Sequence, residues 1–176
     1  MDLEILHLIQ GLRTPLLDGI MVVLTTMGDG GIVWIALSIV LLIIPKTRRC
    51  GLAIALGMLL SHIVGNVVLK PILARPRPFS VDPSVELIVK APSSYSFPSG
   101  HTMNGFTAAC ALMTFYRKPG MAALVLAALI AFSRMYLFLH YPTDILGGIV
   151  LAVIDTWIAV ALVKKLKSRF GKNSAL

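Results

Sequence analysis

Charge is what this sequence has least of. Only 14% of its 176 residues are Asp, Glu, Lys or Arg, against about 25% in an ordinary soluble domain, so the chain is built for lipid rather than water. Acids are scarcer than bases, 8 against 16, for a net charge of +8. That balance raises the question of nucleic acid. However, aromatics make up only 7%, and the basic residues sit in short clusters between apolar runs, outside any nucleic-acid-binding motif. Charge flanking membrane segments is the better account. The two cysteines, Cys50 and Cys110, form no C-x-x-C pair, which excludes a zinc-finger spacing and a disulfide framework. Internal repeats and low-complexity tracts are missing. The start, Met1-Asp2-Leu3-Glu4, is acidic where a signal peptide is basic, so the first apolar segment is expected to be retained.

What is abundant is apolar sequence, 57% of the chain, with a mean hydropathy of +0.86. Each bilayer crossing needs roughly 20 residues. Residues 3–12 set Leu3, Ile5, Leu6, Leu8, Ile9 and Leu12 among Glu4, His7 and Gln10, the pattern of a short helix lying on a membrane surface. Six apolar segments follow, at 15–27, 32–44, 51–69, 98–116, 121–139 and 142–163. They are separated by the turn Gly28-Asp29-Gly30-Gly31, the basic loop Lys46-Thr47-Arg48-Arg49, a long polar stretch to residue 97, and the basic turn Arg117-Lys118-Pro119-Gly120. The expectation is an all-α, six-span membrane bundle with an interfacial N-terminal helix.

With six spans one side holds Arg13, Lys46, Arg48, Arg49, Arg117, Lys118, Lys164, Lys165, Lys167, Arg169 and Lys172. The other holds Lys70, Arg75, Arg77, Lys90 and Arg134. The positive-inside rule makes the richer side cytoplasmic and the long polar stretch external.

Three distant segments then meet at that external face. The first is Lys70, six residues, then Arg77-Pro78. The second is Pro98-Ser99-Gly100-His101. The third is Ser133-Arg134, five residues, His140, three residues, Asp144. Pro98 suits the first position of a helix and Ser96 can cap it. This leaves the N–H groups of Ser99, Gly100 and His101 at a helix end that attracts anions. Three cations with backbone donors provide most of what phosphoryl transfer demands. Asp144, four residues after His140, can reach the imidazole and fix its tautomer, as the third member of a nucleophile relay does. Taken singly each part has an ordinary reading: Lys70 and Arg77 as headgroup anchors, Arg134 paired with Asp144, His140 as a polar helix start.

Together the three segments resemble the signature of the type 2 phosphatidic acid phosphatase family of integral membrane lipid phosphatases, whose pocket is shared with vanadium haloperoxidases. The likeness covers about residues 70–144 and implies one membrane-embedded domain over 1–176, with active-site segments 70–78, 98–101 and 133–144. It implies His140 as a nucleophile forming a phosphohistidine, Asp144 as its orienting partner and His101 as the leaving-group acid. Lys70, Arg77, Ser99, Gly100 and Arg134 are implied as phosphate ligands, with no metal and no cofactor. Arg75 lies outside the signature and reads as a headgroup contact or an anchor.

The expected partner is a phosphorylated lipid among membrane lipids, not nucleic acid, with the oligomeric state left open. Undecaprenyl diphosphate, trimmed outside a bacterial inner membrane, is the favoured substrate; phosphatidic acid or phosphatidylglycerol phosphate is the alternative. A lipid-phosphate transporter or binding protein is the reading from another class, though its usual paired repeats and broken midplane helices are not seen. His62 and Asn66, spaced i and i+4, read as interhelical hydrogen-bond partners. Asp18 and Asp155 are intramembrane carboxylates to which the motifs give no role.

Overall fold

A computed structural model of the protein describes residues 1–170, with side chains through residue 166. Lys172 and the side chains of Lys167 and Arg169, part of the expected basic tail, lie outside the described residues. Among the described residues all regular structure is helical. The elements are α1 (Asp2–Gln10), α2 (Pro15–Gly28), a 3₁₀ turn (Asp29–Gly31), α3 (Ile32–Ile43) and α4 (Arg48–Ser61). Helix α4 runs on through a π-helical segment (His62–Leu69) into the single turn α5 (Lys70–Leu73). Then come α6 (Pro78–Val81), α7 (Gly100–Phe115), α8 (Arg117–Tyr136) and α9 (Pro142–Phe170).

Helix α7 is the centre of the bundle, packed against α4, α8 and α9. Lipid tails are as apolar as leucine, so helices in a bilayer associate through close packing of small residues rather than through water exclusion. The buried surface of α7 is accordingly Ala108, Ala109 and Ala111, facing partners such as Ala127 of α8. Glycines set the closest approaches: a Cβ at Gly57 would come within 2.6 Å of Thr107, and one at Gly105 within 3.1 Å of Ala127. A buried polar knot crosses the same region. Ser61 donates to Asp155 at 2.7 Å and lies 3.0 Å from the Thr107 hydroxyl, so Asp155 ties α9 to α4 and stands away from the motif residues.

Among the described residues four helical stretches are long and apolar enough to cross a membrane: Pro15–Ile43, Arg48–Val81, Arg117–Tyr136 and Pro142–Leu166. The first leaves the six-span expectation unconfirmed, because it joins two segments that the sequence reading separated. The glycine turn is a kink rather than a reversal. Gly30 (φ 59°) and Gly31 (φ 72°) take the left-handed conformation that side-chain-bearing residues avoid, but the chain continues in the same general direction. Near its start Asp18 accepts from the Tyr136 hydroxyl at 2.8 Å. Gly28 abuts Ile130 and His101, and Trp34 reaches Gly105. At the far end Ser38 donates to the Gly51 carbonyl at 2.9 Å. Residues 15–43 therefore traverse the bundle once.

Helix α1 forms where expected and covers the same end of the bundle as the motif residues. Leu6 and Ile9 are buried against Tyr136–Tyr141, Gln10 Nε2 donates to the Tyr136 carbonyl at 2.7 Å, and His7 lies 2.9 Å from Asp82. Arg13, expected at the opposite end, donates to the Glu86 carbonyl at 3.2 Å and so belongs to the motif end. The basic loop at 44–47 is at the other end, where the Tyr116 hydroxyl donates to the Lys46 carbonyl.

Candidate active site

The turn before α7 differs from its expected form. The helix begins at Gly100, not Pro98, and Ser99 is the N-cap, its hydroxyl facing the Thr102 N–H at 3.5 Å and accepting from the Thr102 hydroxyl at 3.0 Å. Ser96 caps nothing and donates instead to Asp144 Oδ2. The reason is packing. Gly147 and Gly148 of α9 leave room for the Phe97 ring and the Ser99 backbone, and a Cβ at Gly147 would fall 2.4 Å from that ring. Residues 96–99 are thereby drawn against α9, through a cis Phe97-Pro98 peptide.

Gly100 then opens into a cavity of about 410 Å³, whose walls include Lys70, Arg77, His101, Arg134 and His140. All three motif segments thus contribute to one space, and both histidines face it. Two expected site residues do not line it. Ser99 is fully buried with its hydroxyl turned into its own helix, and Asp144 stands behind His140 with 0% exposure.

Arg77 is the most constrained cation. Its guanidinium donates to the Ser94 carbonyl (2.6 Å), the Leu139 carbonyl (2.8 Å) and the Ser94 hydroxyl (3.1 Å). Its Nη1 also lies 3.2 Å from His140 Nε2. A guanidinium has no lone pair to offer, so Nε2 must be the acceptor and the ring proton must sit on Nδ1, which faces Asp144 Oδ2 at 3.3 Å. Burial pushes the His140 imidazole down to about 3, and Arg77 and Arg134 add to that against the pull of Asp144. The ring is therefore neutral near pH 7, with its Nε2 lone pair held by Arg77 at the cavity wall. Arg134 is buried with its Nε lacking a partner while Nη1 donates to the Thr25 hydroxyl. Lys70 is buried too, with only a long 3.5 Å contact to Ser94. Cations held out of water with unused donors suit a tetrahedral oxyanion.

The model of the PAP2 superfamily matches residues 50–168. This chain belongs to the PAP2 superfamily. A curated relative, the undecaprenyl-diphosphatase of Sulfolobus acidocaldarius, is 30% identical over 159 residues, covering 90% of this chain and 75% of its own. The crystal structure of Aquifex aeolicus LpxE superposes with a TM-score of 0.81 at 28% identity, covering 91% of this chain and 94% of that one. A transmembrane PAP2-type phosphatidylglycerolphosphate phosphatase from Bacillus subtilis superposes with a TM-score of 0.75 at 30% identity, covering 96% and 87%. This PAP2 chain is accordingly a multi-pass membrane protein and a lipid phosphatase.

Around the PAP2 motif set the structure adds residues that sequence reasoning missed. Arg75, left as a headgroup contact or anchor, donates to Asp144 Oδ1 at 2.6 Å and to Thr143 at 2.7 Å. It also pairs with Asp2 of α1 at 2.8 Å and lies 4.0 Å over the Tyr141 ring. With Ser96 and the Tyr141 N–H (2.9 Å), it gives Asp144 a full set of donors, which explains how a carboxylate is kept here with no exposure. Asp29, from the glycine kink, lies 3.0 Å from His101 Nε2. No local pattern marks Asp29, which is 72 residues from its partner. His62 and Asn66 lie 3.4 Å apart and line the cavity rather than bridging helices. Asp18 is engaged by Arg13 and Tyr136 at the bundle's end. Cys50 and Cys110 are free thiols. Among the described residues no three His, Cys, Asp or Glu side chains converge as metal ligands would.

Proposed function

We propose that this PAP2 phosphatase hydrolyses a lipid diphosphate, undecaprenyl diphosphate to undecaprenyl phosphate, through a phosphohistidine. One observation carries the mechanism: His140 lines the cavity with Nε2 unprotonated and accepting from Arg77, and with Asp144 holding the other ring nitrogen. In the first step Nε2 attacks the terminal phosphorus, the bond to the bridging oxygen breaks, and His101 gives its proton to that oxygen. Lys70, Arg77, Arg134 and the Gly100 N–H neutralise the charge spread over the equatorial oxygens. Ser99 acts as the helix cap that aims the Gly100 and His101 backbone. Asp144 stabilises the charge that appears on the His140 ring. Water then attacks the phosphohistidine with His101 as base, releasing inorganic phosphate.

The lipid reading is supported by an apolar groove of about 350 Å³ between α3 and α4. It shares Gly30, His62 and Asn104 with the cavity, and its walls include Ile35, Ile39 and Leu59, all outward-facing residues. A headgroup in the cationic cup can thus leave its chain in the bilayer. The diphosphate choice follows the name of the Sulfolobus relative; the alternative is phosphatidylglycerol phosphate, which the name of the Bacillus structure favours, or phosphatidic acid.

We read five crossings, the four long stretches plus the shorter α7. The cup then shares its end with Arg13, Lys90 and α1, while Lys46, Arg48, Arg49, Arg117, Lys118, Lys164 and Lys165 gather at the other. By the positive-inside rule the cup faces the extracytoplasmic side, in a bacterium that of the inner membrane. The test is phosphate release from undecaprenyl diphosphate and phosphatidylglycerol phosphate in detergent with EDTA. The parent is expected to favour the diphosphate, and His140→Ala to lose at least about 10³-fold in kcat. Undiminished turnover in that variant, or a strict requirement for added metal, would overturn the reading.

A further inference from the structure

His101 is held from one side by the kinked segment that follows α2. Asp29 reaches its Nε2 at 3.0 Å, and the backbone of Thr25, one turn earlier, also bonds the ring. Gly28 completes the seat, since a Cβ there would lie 2.5 Å from the ring carbon Cδ2. The ring therefore fits only where residue 28 has no side chain. Among the described residues lining the cavity the other charged groups are cationic: Arg134 of α8, which also donates to Thr25, then Lys70 and Arg77 across the cavity, with His62 and His140 as the remaining titratable groups.

We propose that Asp29 is the positioning residue that favours the charged form of His101 and sets its proton on Nε2, and so makes it competent as the leaving-group acid. The argument is electrostatic. A buried ring beside Arg134 favours its neutral form, and a neutral ring with its proton elsewhere has nothing to give the leaving oxygen. A carboxylate at 3.0 Å opposes that preference and selects the nitrogen. Asp29 has room to yield its place. Its side chain is 59% exposed, and the left-handed Gly30 and Gly31 follow it. When the bridging oxygen of a bound substrate arrives at Nε2, it takes the carboxylate's position and the proton passes to it as the phosphorus–oxygen bond breaks. In the second step His101 takes a proton from the attacking water, and Asp29 again stabilises the resulting cation. The His101–Asp29 pair is thus the acid-side counterpart of His140–Asp144, supplied by a segment outside the PAP2 motifs. The inference rests on the phosphatase reading above.

The experiment compares parent, Asp29→Asn and Asp29→Glu in detergent on two substrates, dioctanoyl phosphatidic acid and p-nitrophenyl phosphate. The first needs its alkoxide protonated; the second releases a phenolate that leaves without help. Asp29→Asn is expected to lose about tenfold more kcat on the alkyl substrate than on the aryl one, with KM changed less than kcat. The basic limb of its kcat–pH profile should move to lower pH by about one unit. Asp29→Glu should restore the limb. Equal losses on both substrates with an unmoved limb, or no loss at all, would overturn the proposal while leaving the phosphatase reading intact. A parent that released phosphate from neither substrate nor from undecaprenyl diphosphate would remove the phosphatase reading and this inference with it. Size-exclusion elution and thermal midpoints, matched to the parent, keep misfolding out of the comparison.

Discussion

At the residue scale the molecule turns on how Asp144 is paired. It accepts from Ser96, Arg75 and the Tyr141 N–H while facing His140 Nδ1, so the proposed nucleophile is held in one tautomer by a carboxylate that is itself locked. Asp144→Asn keeps the shape but removes the charge, and kcat is expected to fall by about 10³–10⁴. Arg75→Ala removes one charged hydrogen bond from Asp144, on the order of 1.5–3 kcal/mol. That corresponds to roughly ten- to a hundredfold in kcat, with the circular dichroism spectrum unchanged; parental kcat in Arg75→Ala would show that Asp144 does not depend on it. The His140 ring has a stability consequence as well. Its folded value of about 3 lies below the usual 6.5, so between those values the unfolded chain binds the extra proton. The contribution is full above pH 6.5 and is lost as the pH falls towards 3. Thermal midpoints at pH 7.5 and 4.5 should drop more in the parent than in His140→Gln, which cannot titrate there.

Elements carry the second level of organisation, and glycines decide where they meet. Gly147 of α9 gives up its side-chain space to Phe97, and that contact draws residues 96–99 into position so that α7 can begin at Gly100. Gly147→Ala would place a methyl 2.4 Å from an aromatic ring. Overpacking of this kind costs about 1–3 kcal/mol, and the displacement falls on the site. A lowered melting midpoint together with a loss of kcat is expected, and full activity in Gly147→Ala would contradict this account of the turn. The three motif segments were readable as three elements' ends from spacing alone. The start of α7 was not, because Pro98 and Ser96 fit local capping rules and nothing local announces a partner at residues 147 and 148. The kink at Gly30 and Gly31 was readable as a break, but a break and a reversal look alike in sequence.

For the whole molecule, the difference between six spans and five crossings has a measurable sign. Six spans put the N-terminal helix and the 117–120 turn on one side of the membrane; five put them on opposite sides. In a variant with Cys50 and Cys110 replaced by alanine, single cysteines at exposed Leu8 and Lys118 can be labelled with a membrane-impermeant maleimide in intact cells. Labelling at position 8 and protection at 118 is expected; equal labelling would restore the six-span layout. The same topology explains why α1 remains a surface element. Its Leu6 and Ile9 are buried on the 136–141 loop, while Asp2 reaches Arg75, so the chain's first turn is tied to the site without entering it.

Composition, hydropathy and motif spacing were sufficient by themselves to determine an all-α membrane protein and to name the groups that meet in its cavity. Burial in lipid demands long apolar runs, and phosphoryl transfer demands a rare combination of cations, imidazoles and a carboxylate at set intervals. Only the tertiary structure decided that residues 15–43 traverse the bundle once, that Ser99 turns away from the cavity, and that Arg75 and Asp29 contact Asp144 and His101. Those outcomes depend on contacts between segments some seventy residues apart, such as Asp29 with His101 and Arg75 with Asp144. A pairing that costs no local signal leaves none to read.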